Sequence, residues 1–232
     1  MRLPNDNQHL VLYGQTGSGK TVAGLWHLLH RSFDRQPWLV LDFKGDEHIA
    51  SIPFTDELAP GKVPTNPGLY VMRPIPATDD DEKVEKTMWG IWRQGRTGLF
   101  VDEGYMIPRK SQAFNALLTQ GRSKQIPLIT LSQRPVWLSR FVISEAAFHQ
   151  VFFLADESDR DSVQRFIPHT MNVDNLPRHH SYYYNVGERE FTGLKPVPQP
   201  EQIRAQFEEK LRPSLNDQLQ EVKPSGGRII LI

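Results

Sequence analysis

The 232-residue sequence predicts an α/β fold in which a mostly parallel sheet carries helices on both faces. Apolar runs of strand length alternate along the chain with segments whose apolar residues recur at helical spacing. Several runs, such as 38–43 and 127–131, are almost continuously apolar, as expected for strands that helices cover on both sides. This alternation is typical of a parallel sheet built from strand–helix–strand units.

The first strand and helix of this pattern, 9–13 and 22–29, enclose a glycine-rich loop. The loop matches the phosphate-binding pattern G-x-x-x-x-G-K-S/T at every fixed position and reads Gly14-Gln15-Thr16-Gly17-Ser18-Gly19-Lys20-Thr21. Glycines let the backbone curve closely around an anion, and the following helix directs its positive end at it. Lys20 is expected to reach the β- and γ-phosphates, and the Thr21 hydroxyl to bind Mg²⁺. The sequence therefore predicts a site for ATP and Mg²⁺.

A second apolar strand, 99–103, ends in two adjacent acids. Asp102 is predicted to bind the nucleotide's Mg²⁺, and Glu103 to polarise the attacking water. Two successive acids are more typical of an ATPase motor than of a GTPase or a small-molecule kinase. Gln133 follows the next strand, and the carboxyl ends of parallel strands gather at one edge of a sheet. It is therefore predicted to contact the γ-phosphate as a sensor.

The remaining chain up to residue 195 is assigned to the same ATPase domain. The proline-rich stretch 52–76 is predicted to be an insertion or a covering loop that holds one short strand, 69–73. A β-hairpin with strands 181–185 and 190–193 is predicted at the sheet's edge. Other predicted elements are helices beginning at 78–82 and spanning 111–124 and 158–166, a helical segment near Glu145, and strand 151–155.

Residues 196–232 are predicted to lie outside the ATPase domain as a proline-rich linker, a helix over 201–220 and an apolar tail. The helix is polar and weakly amphipathic, which suits either a solvated surface helix or a docking arm. The tail, 228–232, is equally suited to pair with a sheet edge of its own chain or with a partner.

Composition excludes some classes of site. The 27 basic and 27 acidic residues balance, which neither requires nor excludes a nucleic-acid partner. Cysteine is absent, so disulfides and thiolate metal sites are impossible, in keeping with a cytosolic setting. No apolar run suggests a signal peptide or a membrane span, although the protein could dock on a membrane-bound partner.

Four segments together resemble the FtsK–HerA superfamily of DNA-pumping ATPases. They are the glycine-rich loop 14–21 and the segments 40–46, 99–103 and 120–135. In the last of these, a helix-end arginine, an apolar strand and the terminal Gln133-Arg134-Pro135 follow one another in the order found in that superfamily. One departure is Phe43, which stands where relatives usually carry proline. The similarity covers roughly residues 10 to 166.

The resemblance implies a RecA-like P-loop NTPase fold and a working ring of five or six subunits with nucleotide at the interfaces. Arginine fingers would then come from the neighbouring subunit. Arg122 matches the helix-end arginine of the superfamily and is the first candidate, and Arg160 is the second. For each, a surface arginine in a weak ion pair is the alternative.

Within the superfamily, this compact chain resembles the small genome-packaging ATPases of viruses that have an internal membrane. The expected function is to drive double-stranded DNA into a procapsid, in the host cytoplasm or at the packaging vertex of the virion. Capsid, portal or viral membrane proteins are the expected partners. Contacts with DNA would involve phosphates and would be independent of sequence. Arg109 and Lys110 are candidates to line a pore, although a solvated turn explains them equally well.

Three other functions remain open at this level. One is a phage morphogenesis ATPase resembling the zonula occludens toxin family, whose members usually carry a membrane span. Another is a non-motor nucleotide enzyme such as a small-molecule kinase. The third is a nucleotide-dependent adaptor that hydrolyses ATP slowly, against which the Asp102-Glu103 pair argues.

Overall fold

The structure is a computed structural model that describes residues 2–75 and 80–212. In these ranges the strands are β1 (Leu10–Tyr13), β2 (Pro37–Asp42), β3 (Asp56–Glu57), β4 (Gly68–Met72), β5 (Gly98–Asp102), β6 (Leu128–Ser132), β7 (Phe148–Val151), β8 (Ser181–Asn185) and β9 (Glu190–Leu194). The α-helices are α1 (Lys20–Leu29), α2 (Glu47–Ala50), α3 (Asp80–Gln94), α4 (Gln112–Gln120), α5 (Arg140–Ser144), α6 (Glu157–Gln164) and α7 (Pro200–Leu211).

All nine described strands belong to one sheet, in the order β3-β4-β2-β5-β6-β1-β7-β8-β9. The pairs from β3 through β7 are parallel, and β8 and β9 add an antiparallel hairpin at one edge. Alternate residues of β1 point to opposite faces, so Val11 and Tyr13 join one core cluster while Leu10 and Leu12 join the other. Helices α3 to α6 cover the first face, and α1, α2 and α7 cover the second. The predicted fold class is confirmed.

The proline-rich stretch 52–76 differs from its prediction, because it extends the sheet rather than covering it. Strand β4 pairs with β2, and β3 pairs with β4. The described prolines of this stretch, at positions 53, 60, 64, 67 and 74, lie in the connections around these strands, so they remove no hydrogen bond from the ladder. Strand β3 escaped prediction because it consists of two exposed acids at the sheet's edge.

Strand β7 begins three residues before the predicted strand 151–155 and ends at Val151. The apolar pattern did not predict the start of β7 because two of its four residues are polar. His149 and Gln150 are both buried. The His149 Nδ1 atom is 3.1 Å from the Tyr13 hydroxyl, and Gln150 Oε1 is 2.8 Å from His27 Nε2. Because the fold satisfies these groups internally, a strand forms where apolar patterning gives no signal.

Helix α7 is a surface helix, as one of the two predictions stated, but its apolar side packs on the core. Ile203 and Phe207 are buried against the face that α1 covers, and the Phe207 ring stacks on Phe33 with centroids 6.1 Å apart. The Lys210 ammonium donates to the carbonyl oxygens of Leu29 and Arg31, just after α1. Residues 200–211 are therefore part of the core that was assigned to residues 1–195. The predicted continuation of this helix to 220 and the tail 228–232 lie outside the described residues.

Candidate nucleotide site

The carboxyl ends of β1, β2, β5 and β6 bring the predicted catalytic residues to one edge of the sheet. The glycine-rich loop follows β1, Lys44 follows β2, Asp102 ends β5 with Glu103 directly after it, and Gln133 follows β6. A cavity of about 470 Å³ lies at this edge, and the loop, Lys44 and both acids line it. This is the position at which open α/β sheets bind their ligands.

The glycine-rich loop has the backbone that an anion cradle needs. Gly17 and Gly19 have φ angles of 79° and 92°, in the left-handed region that favours glycine. At Gly14 a Cβ atom would lie 2.5 Å from Ser18 Oγ and 2.8 Å from Phe152 Cβ, so a side chain would not fit. Helix α1 begins at Lys20 with no acidic residue in its first turn. Its positive end is therefore left for an anionic ligand.

Asp102 and Thr21 provide oxygen atoms that fit Mg²⁺. Both line the cavity, and Asp102 is only 1% exposed. The Asp102 Oδ1 atom has no hydrogen-bond partner among the described residues. In the described part of the chain no group of three or more His, Cys, Asp or Glu side chains could hold a metal by itself. Mg²⁺ fits here only as the partner of a bound phosphate chain, which is its usual mode of binding.

Glu103 is held in a strained and buried position beside the loop. Its φ of 60° is left-handed, which is costly for a residue with a Cβ and is often found at functional sites. One carboxylate oxygen lies 3.1 Å from Lys20 Nζ and 2.7 Å from Lys44 Nζ. The other accepts the backbone N–H of Gln133 at 3.1 Å. This arrangement keeps the carboxylate of Glu103 next to the lysine of the phosphate loop.

Gln133 links the phosphate loop to a residue that follows the two acids. Its Oε1 accepts a hydrogen bond from the Thr16 hydroxyl at 2.7 Å. Its Nε2 donates to the Tyr105 hydroxyl oxygen at 2.9 Å. The predicted position of Gln133 beside the loop therefore agrees with the geometry, and Tyr105 is an additional contact. A ligand that displaces the Thr16 hydroxyl would also disturb Tyr105.

Sequence reasoning assigned no role to Lys44 or Tyr105. Burial opposes the charge of Lys44, but the hydrogen bond to Glu103 and the attraction of nearby acids outweigh it and raise the lysine's pKa. A signal for Lys44 existed in its place just after β2. To infer from this position that Lys44 belongs to the site, one would have to know that β2 lies beside β5, where Asp42 is in register with Asp102. The order of strands along the chain does not reveal that adjacency.

The two candidate arginine fingers do not reach the cavity of their own chain. Arg122 is exposed in the 3₁₀ turn Gly121–Lys124, which precedes β6. It therefore lies at the amino ends of the strands, whereas the loop lies at their carboxyl ends. Arg160 lies in α6, where its Nη1 donates to the Leu154 carbonyl and to Asp174, both at 3.1 Å. Neither arginine lines the cavity described above. Any finger role must be played in a neighbouring subunit.

The stability of the metal-free and nucleotide-free protein is expected to reveal the buried charge of Asp102. Burial raises the pKa of Asp102 from 3.8 to about 6, against the attraction of Lys20. The folded state therefore holds this proton more tightly than the unfolded state does. The associated stability is fully present below about pH 4 and is lost as the pH rises through about 6. At 1.36 kcal/mol per pKa unit, the loss is about 3 kcal/mol.

Chemical unfolding of the wild type and Asp102→Asn in EDTA, from pH 4 to pH 7, measures this loss. The variant should gain about 2 kcal/mol relative to the wild type over this range, because part of the total is already lost at pH 4. Buried histidines with lowered pKa values titrate in both proteins, so the difference isolates Asp102. Asp34→Asn, at an exposed site, serves as the control and should show a constant offset. A constant offset for Asp102→Asn as well would contradict the buried-charge interpretation.

Comparison with known proteins places the chain in a family. It is 46% identical over 217 residues to the DNA packaging ATPase P9 of Enterobacteria phage PRD1, covering 90% of this chain and 95% of that protein. No family model matches the chain. The genome packaging NTPase B204 of Sulfolobus turreted icosahedral virus 2, in complex with ATP-gammaS, has a TM-score of 0.61 at 20% identity, covering 84% of this chain and 100% of that chain.

A less similar ATPase shares the same fold. The cytoplasmic domain of the type VII secretion ATPase EccC of Thermomonospora curvata has a TM-score of 0.61 at 14% identity, covering 89% of this chain and 28% of that chain. The predicted resemblance and the predicted ATPase activity are confirmed by the packaging relative. Because that identity extends over nearly the whole length of both proteins, the chain belongs to the viral DNA packaging ATPases of FtsK–HerA type.

Proposed function

We propose that this ATPase uses Mg²⁺-dependent ATP hydrolysis to move double-stranded DNA into a viral procapsid. The observation that carries the proposal is a continuous set of contacts from the phosphate loop to an exposed basic surface. The similarity to the packaging ATPase of phage PRD1 supports the choice of DNA as the moved molecule.

The hydrolytic roles follow from the cavity. The loop backbone and Lys20 would hold the phosphates, while Thr21 and Asp102 would hold Mg²⁺, which neutralises charge on the phosphates. Glu103 would orient the attacking water and accept its proton as the bond between the γ-phosphorus and the ADP oxygen breaks. Lys20 now lies 3.1 Å from Glu103, so phosphates compete with Glu103 for the lysine. Nucleotide binding therefore frees Glu103 from one of its two cations.

The coupling path begins at Gln133, which contacts Thr16 and Tyr105. The Tyr105 ring packs edge-on against Trp137, with centroids 5.7 Å apart. The Arg134 guanidinium lies over Trp137, 4.6 Å from the ring centroid. A rearrangement of Gln133 on hydrolysis is thus transmitted through Tyr105 to an exposed aromatic side chain.

We group exposed residues near Trp137 in the chain or in contact with its backbone as the Trp137 surface, namely Arg109, Lys110, Trp137, Arg140 and Phe141. Trp137 and Phe141 are 50% and 43% exposed, which is unusual for large aromatic residues. The three cations form no ion pair with a carboxylate of the described residues. Arg109 instead donates to the Trp137 carbonyl at 2.8 Å and to that of Val136. Exposed cations and aromatic side chains of this kind suit DNA phosphates and sugar edges.

A pair of charge variants tests this surface. Lys110→Ala combined with Arg140→Ala is expected to weaken binding of long duplex DNA and to lower the salt slope of log Kobs by about 2, at roughly one unit per lost phosphate contact. Trp137→Ala is expected to reduce the stimulation of ATP hydrolysis by DNA more than it reduces hydrolysis without DNA. The measurements are fluorescence anisotropy over a salt series and steady-state hydrolysis.

The matched control removes two exposed arginines at the amino ends of the strands, Arg35 before β2 and Arg93 before β5. Their replacement by alanine should leave the salt slope unchanged. An equal loss of slope in both double variants would show that the protein's overall charge, and not the Trp137 surface, attracts DNA. That result would remove the surface from the proposal.

Assembly completes the proposal. A ring of five or six subunits would bring Arg122 or Arg160 of one subunit to the nucleotide of the next. Capsid, portal or viral membrane proteins would hold the ring at the packaging vertex or in the host cytoplasm. Within the described residues no helix has both the length and the apolar character needed to cross a bilayer.

A further inference from the structure

Two lysines share one oxygen atom of Glu103, and they approach it from different surroundings. The ammonium groups of Lys44 and Lys20 lie 2.7 Å and 3.1 Å from Glu103 Oε1. The side chain of Lys44 is 40% exposed, whereas that of Lys20 is 6% exposed and that of Glu103 is 3% exposed. Lys44 therefore reaches the buried carboxylate from solvent, and Lys20 reaches it from within the phosphate loop.

The backbone around Lys44 is fixed by a buried carboxylate. Asp42, at the end of β2, is 1% exposed, and its Oδ1 accepts the N–H groups of Gly45 and Asp46 at 2.8 Å and 3.0 Å. Gly45 has a φ of 68°, a conformation that residues with a Cβ rarely adopt. Because this turn has a defined shape, the backbone of Lys44 is held in place and its side chain is directed at Glu103.

The hydrogen bonds of Glu103 determine where a water molecule can bind it. Lys20 and Lys44 donate to Oε1, and the backbone N–H of Gln133 donates to Oε2. When Lys20 turns to the phosphates, it leaves a lone pair of Oε1 that is directed toward the phosphate loop. A water molecule on this lone pair would lie between Glu103 and the γ-phosphate. Lys44 and the N–H of Gln133 then remain as the contacts that hold the two carboxylate oxygens.

We propose that Lys44 is a positioning residue, which holds the carboxylate of Glu103 toward the attacking water after Lys20 has turned to the nucleotide. The inference rests on the proposed function, since it takes Glu103 as the group that orients the water. A bound triphosphate repels a carboxylate beside it, and a cation in direct contact with that carboxylate offsets the repulsion. Glu103 also has a left-handed φ of 60°, so it needs such contacts to keep its position.

The absence of cysteine from the sequence allows the charge of Lys44 to be removed and then restored. Lys44→Cys introduces a single thiol, and its thiolate displaces bromide from 2-bromoethylamine to give an ammonium side chain of lysine's length. Iodoacetamide gives a side chain of similar length without charge. Lys44→Cys is expected to lower the kcat of ATP hydrolysis by about ten- to a hundredfold and to leave ATP affinity unchanged. Treatment with 2-bromoethylamine should restore most of the kcat, and iodoacetamide should restore none.

A second measurement shows whether Lys44 acts through Glu103. In single-turnover hydrolysis, Lys44→Cys should cause no further loss when it is added to Glu103→Gln, because the group that it positions is already gone. Lys86→Cys, at an exposed position of α3, is the matched control and should keep the wild-type kcat before and after either reagent. Lys44→Gln replaces Lys44→Cys in the double variant if thermal unfolding shows that the cysteine variant does not fold.

Four outcomes would overturn the inference. Equal fold losses for Lys44→Cys in the wild type and in Glu103→Gln would show that Lys44 acts independently of Glu103. Faster hydrolysis by Lys44→Cys would show that Lys44 restrains Glu103 instead of positioning it. A loss of ATP affinity that matches the loss of kcat would make Lys44 a phosphate ligand. Wild-type turnover by Glu103→Gln alone would contradict the proposed role of Glu103 itself, and the role of Lys44 with it.

Discussion

Replacing Glu103 by glutamine is expected to lower the kcat of ATP hydrolysis by about a hundredfold or more while ATP stays bound. Glutamine preserves the shape of the side chain and can still accept the N–H of Gln133, which reaches Glu103 at 3.1 Å. It cannot take a proton from water. Asp102 and the phosphate loop are untouched, so the affinity for ATP should change little. Single-turnover hydrolysis and equilibrium ATP binding measure the two quantities separately.

The control for this variant is Glu145→Gln, at an exposed position after α5. It should hydrolyse ATP at the wild-type rate. Glu103→Gln also removes the negative partner of Lys20 and Lys44, so thermal unfolding should accompany the kinetics. Turnover at the wild-type rate in a folded Glu103→Gln protein would remove Glu103 from the mechanism and leave its buried ion pairs as a structural feature.

Replacing Arg122 by alanine is expected to lower hydrolysis in the assembled ring by about a thousandfold, the size of effect that arginine fingers produce. Arg122 is exposed and lies across the sheet from its own phosphate loop. The loss should therefore depend on a neighbour. Mixed rings of Arg122→Ala and Glu103→Gln subunits should recover activity, because some interfaces then combine an intact Glu103 with an intact Arg122.

Arg93→Ala serves as the matched control, since Arg93 is exposed in the last turn of α3 at the same end of the sheet. It should leave hydrolysis unchanged. Mixed rings that recover no activity would count against Arg122 as a finger in trans. The same complementation with Arg160→Ala then tests the second candidate, whose present contacts with Leu154 and Asp174 would have to break.

The positions of the candidate catalytic residues could be predicted because local chemistry dictates them. A phosphate cradle needs glycines with left-handed φ angles followed by a lysine at a helix start, and these features are contiguous in sequence. Strand β5 ends in Asp102 and Glu103 follows it, and both acids line the cavity because parallel strands present their carboxyl ends together. The fold class followed from the same alternation of strands and helices.

Contacts between distant segments could not be predicted in this way. Lys44 contacts Glu103 because β2 lies beside β5, and the chain order of the strands does not state this. Residues 196–200 were assigned to a linker because prolines exclude regular structure, yet they line the nucleotide cavity beside the point where α7 packs on α1. The start of β7 was predicted three residues too late, because the burial of His149 and Gln150 depends on partners elsewhere in the chain.

The central claim is that hydrolysis in this cavity is coupled to movement along DNA. Steady-state ATP hydrolysis by the purified protein, with and without long double-stranded DNA and with the mass of the oligomer followed in parallel, tests it most directly. We predict ring-sized particles whose hydrolysis is stimulated by duplex DNA of any sequence, with the stimulation reduced by Trp137→Ala. Turnover by a monomer at the same rate with and without DNA would contradict the claim.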